Sequence, residues 1–194
     1  MRSVIRIPQG EVKDDGGSMT EKREYKTDRQ DVKAVIRTAE RQDVPVILEF
    51  IRDLAVYEML EDQVVATEEL LTEWMFEKQT AEALLLEENG TPVGYALFFH
   101  NFSTFLGRAG IYLEDLFVKP KYRGKGYGKA LFERVAEIAC TRGCGRLEWS
   151  CLDWNVPSIE FYRSMKAEPM EEWTVYRLAG EKLRQMASKG MDKT

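Results

Sequence analysis

Three glycines crowded into one turn constrain this chain more than any other feature. Residues 111–118 form an apolar, strand-like run that leads into Lys119-Pro-Lys-Tyr-Arg-Gly-Lys-Gly-Tyr-Gly-Lys129, and a helix-like run begins near Gly128. Glycine opens backbone conformations closed to other residues and lets a ligand approach the main chain. At a helix start, such a turn directs free N–H groups outward, where the helix dipole favours an anion. Arg123, Lys125 and Lys129 add positive charge. The residues alone read as a pyrophosphate cradle between a strand and a helix.

The rest of the chain narrows the setting. Its 194 residues suit one domain with a sizeable core. A net charge of -5 argues against a general nucleic-acid binder and leaves room for a cationic substrate. Cys140, Cys144 and Cys151 are odd in number and lack Cys-x-x-Cys spacing, which argues against a disulfide framework or zinc site and points to a reducing cytoplasm. A histidine-dependent triad would have to use His100, the single histidine. No apolar run approaches a membrane span, and the N-terminus has no signal-peptide core.

Residues 1–33 are polar and charged, include Gly16-Gly17-Ser18, and read as a flexible extension, with Met19 as an alternative start. The folded domain is expected over 34–190, opening on the strand-like Val35-Ile-Arg37. Asp43 can cap a helix with Pro45 in its first turn, and Ile47, Ile51, Leu54 and Ala55 recur at helical spacing up to about Glu58. Thr67 opens a second amphipathic helix carrying Leu70, Leu71, Trp74 and Met75. Strands at 83–87 and 93–99 flank Asn89-Gly90, a strong hairpin signal. A loop at 101–110, the strand before the glycine turn, and a helix to about Thr141 follow. A strand at 147–152, a short helix from Pro157, a strand at 173–178 and a terminal helix complete a mixed α/β sheet.

Two nucleotide motifs fail on spacing. The Walker pattern needs glycine where Arg123 stands and Ser or Thr where Ala130 follows Lys129. The dinucleotide fingerprint needs a third glycine in place of Lys129, and repeated βαβ units that the early hairpin contradicts. What fits is Arg-x-x-Gly-x-Gly at Arg123, Gly126 and Gly128, which resembles the acyl-coenzyme A loop of the GNAT acetyltransferase superfamily. Tyr112-Leu-Glu-Asp-Leu-Phe-Val118, Trp154-Asn-x-Pro-Ser-Ile-x-Phe-Tyr162 and Leu54-Ala-x-Tyr-Glu58 are similar to the diamine (spermidine/spermine) and thialysine branch. The resemblance covers roughly residues 35–187.

It implies an α/β GNAT fold, with a mixed central sheet whose strands splay and with flanking helices. It also implies acetyl-CoA as donor, a small primary amine such as a polyamine, diamine or thialysine as acceptor, no metal and a homodimer. Backbone groups of Leu116, Phe117 and Val118 would pair with the pantetheine amides. Gly124, Lys125, Gly126, Tyr127, Gly128 and Lys129, with Arg123, would hold the pyrophosphate. Asn155 and Ser158 would contact the cofactor, although Asn155 also suits the cap of the Pro157 helix.

Tyr162 would protonate the departing thiolate, a role open to a phenol of pKa about 10; packing beside Phe161 is its plain alternative. Glu114 would take a proton from the ammonium or bind the cation. In a regular strand its neighbour Asp115 faces the other way, unless a bulge intervenes. Tyr57, Glu58, Glu148, Trp149 and Ser150 match substrate-side positions, and Glu172, with Glu171, lies near another, with a different spacing to Arg177. Two departures stand out. Lys166 occupies a position where the family has glycine, and the 101–107 loop lacks the acidic residue that diamine enzymes offer a polyamine. A protein or aminoglycoside amine as acceptor, or a non-catalytic acyl-CoA sensor, are the competing readings.

Overall fold

Asn89 and Gly90 both take positive φ, 51° and 78°, and close the expected hairpin between β3 (Glu82–Glu88) and β4 (Thr91–Ser103). Around it the computed structural model, which describes residues 23–26 and 33–191, builds a six-stranded sheet in chain order. The other strands are β1 (Arg23–Lys26), β2 (Lys33–Thr38), β5 (Arg108–Val118) and β6 (Leu147–Glu148). All neighbours are antiparallel except β5 and β6, so the sheet is mixed as expected.

Helix α1 (Val44–Glu58) covers one face and α3 (Tyr127–Thr141) packs against β4 and β5. Leu85, Tyr95, Leu97 and Phe117 meet Ile47 and Phe50 of α1 in the core. The short helix α2 (Glu68–Leu71), capped by the Thr67 hydroxyl on the Leu70 N–H, widens into a π-turn over Thr72–Glu77. The sheet and α1 to α3 belong to one compact unit that ends at Ser150, and α4 (Val156–Ser164) and α5 (Gly180–Met191) belong to a second that begins at Cys151.

Four expectations change. Arg23–Lys26 pairs with β2, so part of the segment read as an extension is a strand; its charged composition suits a sheet edge. The remainder of 1–33 lies outside the described residues, apart from Lys33 itself. The 101–110 loop is mostly strand, because β4 and β5 stay paired as far as Ser103↔Arg108. β6 is two residues rather than six, since Trp149 leaves the sheet to pack its ring on Phe132 of α3 at 5.0 Å. Residues 173–178 are irregular, and Trp173, Val175 and Tyr176 are exposed. Strand-like composition alone does not make a strand without a neighbour to pair with.

Asp43 precedes α1 as expected, yet its carboxylate does not cap that helix. It turns back to accept from the Glu40 N–H at 2.7 Å and from Arg37 at 2.6 and 2.8 Å. Arg37 also donates to Glu87 at 2.8 Å, tying β2, β3 and the start of α1 together. The Arg37 guanidinium holds the Asp43 carboxyl below the usual range. Breaking a buried pair from one side strands its partner's charge. Arg37→Met is therefore expected to cost about 3 kcal/mol, read as a lower urea midpoint, whereas exposed Arg41→Met should shift it little.

Candidate functional site

β5 carries an extra residue at the point where its chemistry is concentrated. Leu97 pairs with Asp115 but Phe98 pairs with Leu113, so Glu114 sits in a bulge. The bulge breaks the period of two. Leu113 shares a face with Phe98, while Asp115 takes a register position beside Tyr95, Leu97 and Phe117 on the α1 face. Fully buried Tyr95 donates its hydroxyl to Asp115 Oδ2 at 2.6 Å. Burial pushes the Asp115 carboxyl up to about 6; the charges of Glu114 and Glu58 push the same way, and the Tyr95 hydrogen bond opposes them. Burial also raises Glu58, the last residue of α1. Three carboxylates therefore converge where α1 ends beside the bulge, a setting that a cation would relieve.

Pairing of β5 with β6 spans only Ile111↔Leu147 and Tyr112↔Glu148. Leu116, Phe117 and Val118 lie past that pairing, which is the splay the sequence led us to expect. Phe117's side chain belongs to the core, so backbone is what it can offer a ligand.

The glycine turn follows directly. Gly124 and Gly126 have φ of 75° and 82°, conformations that favour glycine, and Gly126 is the N-cap of α3. A Cβ on Gly124, Gly126 or Gly128 would meet no protein atom within 4 Å. The turn thus leaves open space in front of the N-terminus of a 15-residue helix, which fits a pyrophosphate.

Its basic side chains have other partners. Arg123 donates from Nε to the Val118 carbonyl at 2.9 Å and stacks 4.6 Å above the Tyr57 ring. Lys125 pairs with Glu88 at 2.8 Å, and Lys129 lies 3.6 Å from Glu133. Buried Tyr127 donates its hydroxyl to Glu88 as well. The cradle is therefore mainly backbone, with arginine and lysine as its fastenings.

Other expected residues are placed differently. Glu148 accepts from Asn101 at 2.8 Å and pairs with Arg146 at 2.9 Å, and the Ser150 hydroxyl bonds the Tyr112 hydroxyl at 2.7 Å. Trp149 packs on Phe132. These three are thus engaged within the protein, while Tyr57, Glu58, Glu114 and Arg123 gather around β5 and its loop.

In the C-terminal unit, Asn155 caps α4 by accepting from the Ser158 N–H at 3.4 Å. Tyr162 lies half-buried beside Phe161, ring centroids 5.2 Å apart. Glu172 lies on an exposed turn. Lys166 keeps a left-handed cap despite its side chain, with φ of 63°.

Sequence reasoning missed Tyr95, hidden in an apolar run, and Glu88, which reads as a solvated flank of the Asn-Gly turn. Among the described residues no three His, Cys, Asp or Glu side chains are placed to hold a metal ion, and no helix is long and apolar enough to cross a membrane.

The sequence profile of the acetyltransferase (GNAT) family matches residues 48–166. A thialysine N-epsilon-acetyltransferase of Bos taurus is 40% identical over 167 residues, covering 80% of this chain and 98% of that protein. An L-ornithine N5-acetyltransferase of Arabidopsis thaliana is 34% identical, covering 76% and 85%. Among solved structures, an integron cassette protein from the V. cholerae mobile metagenome superposes with a TM-score of 0.68 at 26% identity, covering 79% of this chain and 97% of that one.

Asp115 makes stability depend on pH with a defined sign. Its native carboxyl, pushed up to about 6, holds a proton that a free aspartate near 3.9 has released. The associated stability is fully present below about pH 4 and is lost as pH rises through 6. Asp115→Asn removes that loss while leaving Tyr95 an acceptor. It should stabilise the protein at pH 8 by up to about 3 kcal/mol, with the gap to wild type closing near pH 4 in thermal melts.

Proposed function

Since the chain belongs to the acetyltransferase (GNAT) family and is an N-acetyltransferase, we propose that it moves an acetyl group from acetyl-CoA to a primary amine of a small molecule. The amine is a polyamine, a diamine or a lysine analogue such as thialysine. One observation carries the reading: a single strand runs from an acidic bulge at Glu114 and Asp115 straight into the glycine cradle. That arrangement supports a cation site near Glu114 and an anion site at the turn that follows the end of the same strand. The relatives named for thialysine and ornithine acetylation support the acceptor class. The family profile crosses Ser150, which supports a catalytic domain that does not end there.

Bound acetyl-CoA supplies the thioester. Its pyrophosphate would suit the backbone of residues 124–129 and its pantetheine arm the backbone of Leu116–Val118; the family motif assigns Asn155 and Ser158, at the cap of α4, to the donor as well. An ammonium of pKa about 10 must lose a proton before its lone pair can attack the carbonyl. Glu114 accepts that proton, with Glu58 and Asp115 holding the cation until then. The amine forms the new C–N bond within the ternary complex as the C–S bond breaks. Tyr162 gives its proton to the departing sulfur, and the second proton that the nitrogen sheds on becoming an amide restores the phenol. Tyr57 and Glu172 complete the acceptor side of this reading. A homodimer in a reducing cytoplasm belongs to it too, supported by the exposed Trp173, Val175 and Tyr176 and by the odd number of cysteines.

An acetyl-CoA turnover assay across spermidine, thialysine, ornithine, an aminoglycoside and a lysyl peptide tests the acceptor. Turnover only with the peptide or the aminoglycoside would overturn the small-amine reading, and CoA binding without any turnover would favour a sensor. With the active amine, Tyr162→Phe should lower kcat on the order of 10²-fold. Glu114→Gln should lose a similar factor at pH 7 and regain it toward pH 10, where the amine deprotonates unaided. A loss that stayed constant with pH would remove Glu114 as the base.

A further inference from the structure

Glu88 ends β3, immediately before the Asn89-Gly90 turn and 37 residues from the glycine loop. Its carboxylate nonetheless grips that loop from both sides of Gly126. Lys125 Nζ donates to its two oxygens at 3.0 and 2.8 Å, and the buried Tyr127 hydroxyl donates to Oε2. The Glu88 side chain is only 12% exposed, against 30% for Lys125. A carboxylate so enclosed is costly unless its donors are held in place. Here the donors are the residues flanking the left-handed N-cap of α3.

Two consequences follow from that geometry. The Lys125 charge is already balanced, so it adds little to the attraction for an incoming anion. The N–H groups of the cradle, by contrast, are aimed by a clamp anchored in the sheet. A backbone cradle works through pre-set direction, because ordering a loose glycine loop at the moment of binding costs affinity.

We infer that Glu88 is a positioning residue for the acetyl donor: by holding Lys125 and Tyr127 it fixes the loop that receives the pyrophosphate. This rests on the proposed acetyl-CoA reading and deepens it. Nothing in the loop motif itself requires Glu88; it acts from a different hairpin.

The test uses the full chain and two variants of nearly unchanged volume, Glu88→Gln and Tyr127→Phe. Calorimetric titration with CoA is expected to show about a tenfold weaker Kd in each. Pantetheine, which lacks the pyrophosphate, should bind all three proteins within twofold. In steady state the same variants should raise KM for acetyl-CoA about tenfold, with kcat and the KM for the amine within twofold. The double variant should be no worse than either single one, since both sever one clamp.

Unchanged CoA affinity in both variants, with wild type binding normally, overturns the inference alone. An equal loss toward pantetheine also overturns it, because the effect would then be general loosening. Failure of the wild-type protein to bind CoA would overturn the donor reading as well.

Discussion

The rest of this architecture depends on one inserted residue. β4 and β5 run in register from Ser103↔Arg108 to Phe98↔Leu113, and again from Leu97↔Asp115 to Gly94↔Val118. Between them Glu114 has no counterpart. Before the bulge the buried residues Ile111 and Leu113 face the side of Phe98; after it Phe117 faces α1. A regular strand would keep Leu113 and Asp115 on one face. The bulge instead carries Asp115 to the α1 side, where Tyr95 reaches it and Glu58 and Glu114 bear on its charge. The same strand parts from β6 after Tyr112, so the acidic group sits beside the opening rather than in closed sheet. A functional bend and the acidic group are thus consequences of a single register shift.

Downstream, the strand passes its burden to the glycine turn, whose side chains are read most simply as fastenings. Arg123 bonds the carbonyl of Val118 and covers Tyr57; Lys125 is neutralised by Glu88. A turn held by this many side-chain anchors can present bare N–H groups in a fixed direction, which suits an anion better than flexible lysines do. Arg123 over Tyr57 also joins the loop to the end of α1, so the glycine turn and the acidic group share a support.

What the sequence revealed were features settled within a few residues. Asn89-Gly90 dictates its own turn, the glycines of 124–128 their own left-handed bends, and the apolar spacing of Ile47 to Ala55 its own helix. These were legible because propensity and short-range geometry decide them. Pairing partners were not. Residues 173–178 are rich in the aromatic and branched side chains of a strand but pair with none of the described strands, whereas Arg23–Lys26 looks like solvated tail yet pairs with β2. The clamp from Glu88 and the Tyr95–Asp115 bond join residues 37 and 20 positions apart, so no local pattern announces them. The family motifs suggested roles for Glu114 and Tyr162 and allowed for a bulge in that strand, whereas its place at Glu114 appears only in the register.

The two helices that carry Glu58 and Tyr162 end alike, and the likeness bears on how rigid each position is. α1 closes on Met59 at φ 59° with Leu60 N–H on the Ala55 carbonyl at 2.8 Å, and α4 on Lys166 at φ 63° with Ala167 N–H on the Tyr162 carbonyl at 3.1 Å. Both are left-handed caps built without glycine, each at a cost of roughly 1 kcal/mol. Glycine would relieve the strain but lose more freedom on folding, so part of the difference cancels. In α4 the carbonyl that closes the cap belongs to Tyr162 itself. If Tyr162 acts as the proposed proton donor, its own backbone has to be held within a fraction of an ångström. The cap fixes it locally, through hydrogen bonds to the next turn of the same chain, and leaves the phenol free of that duty.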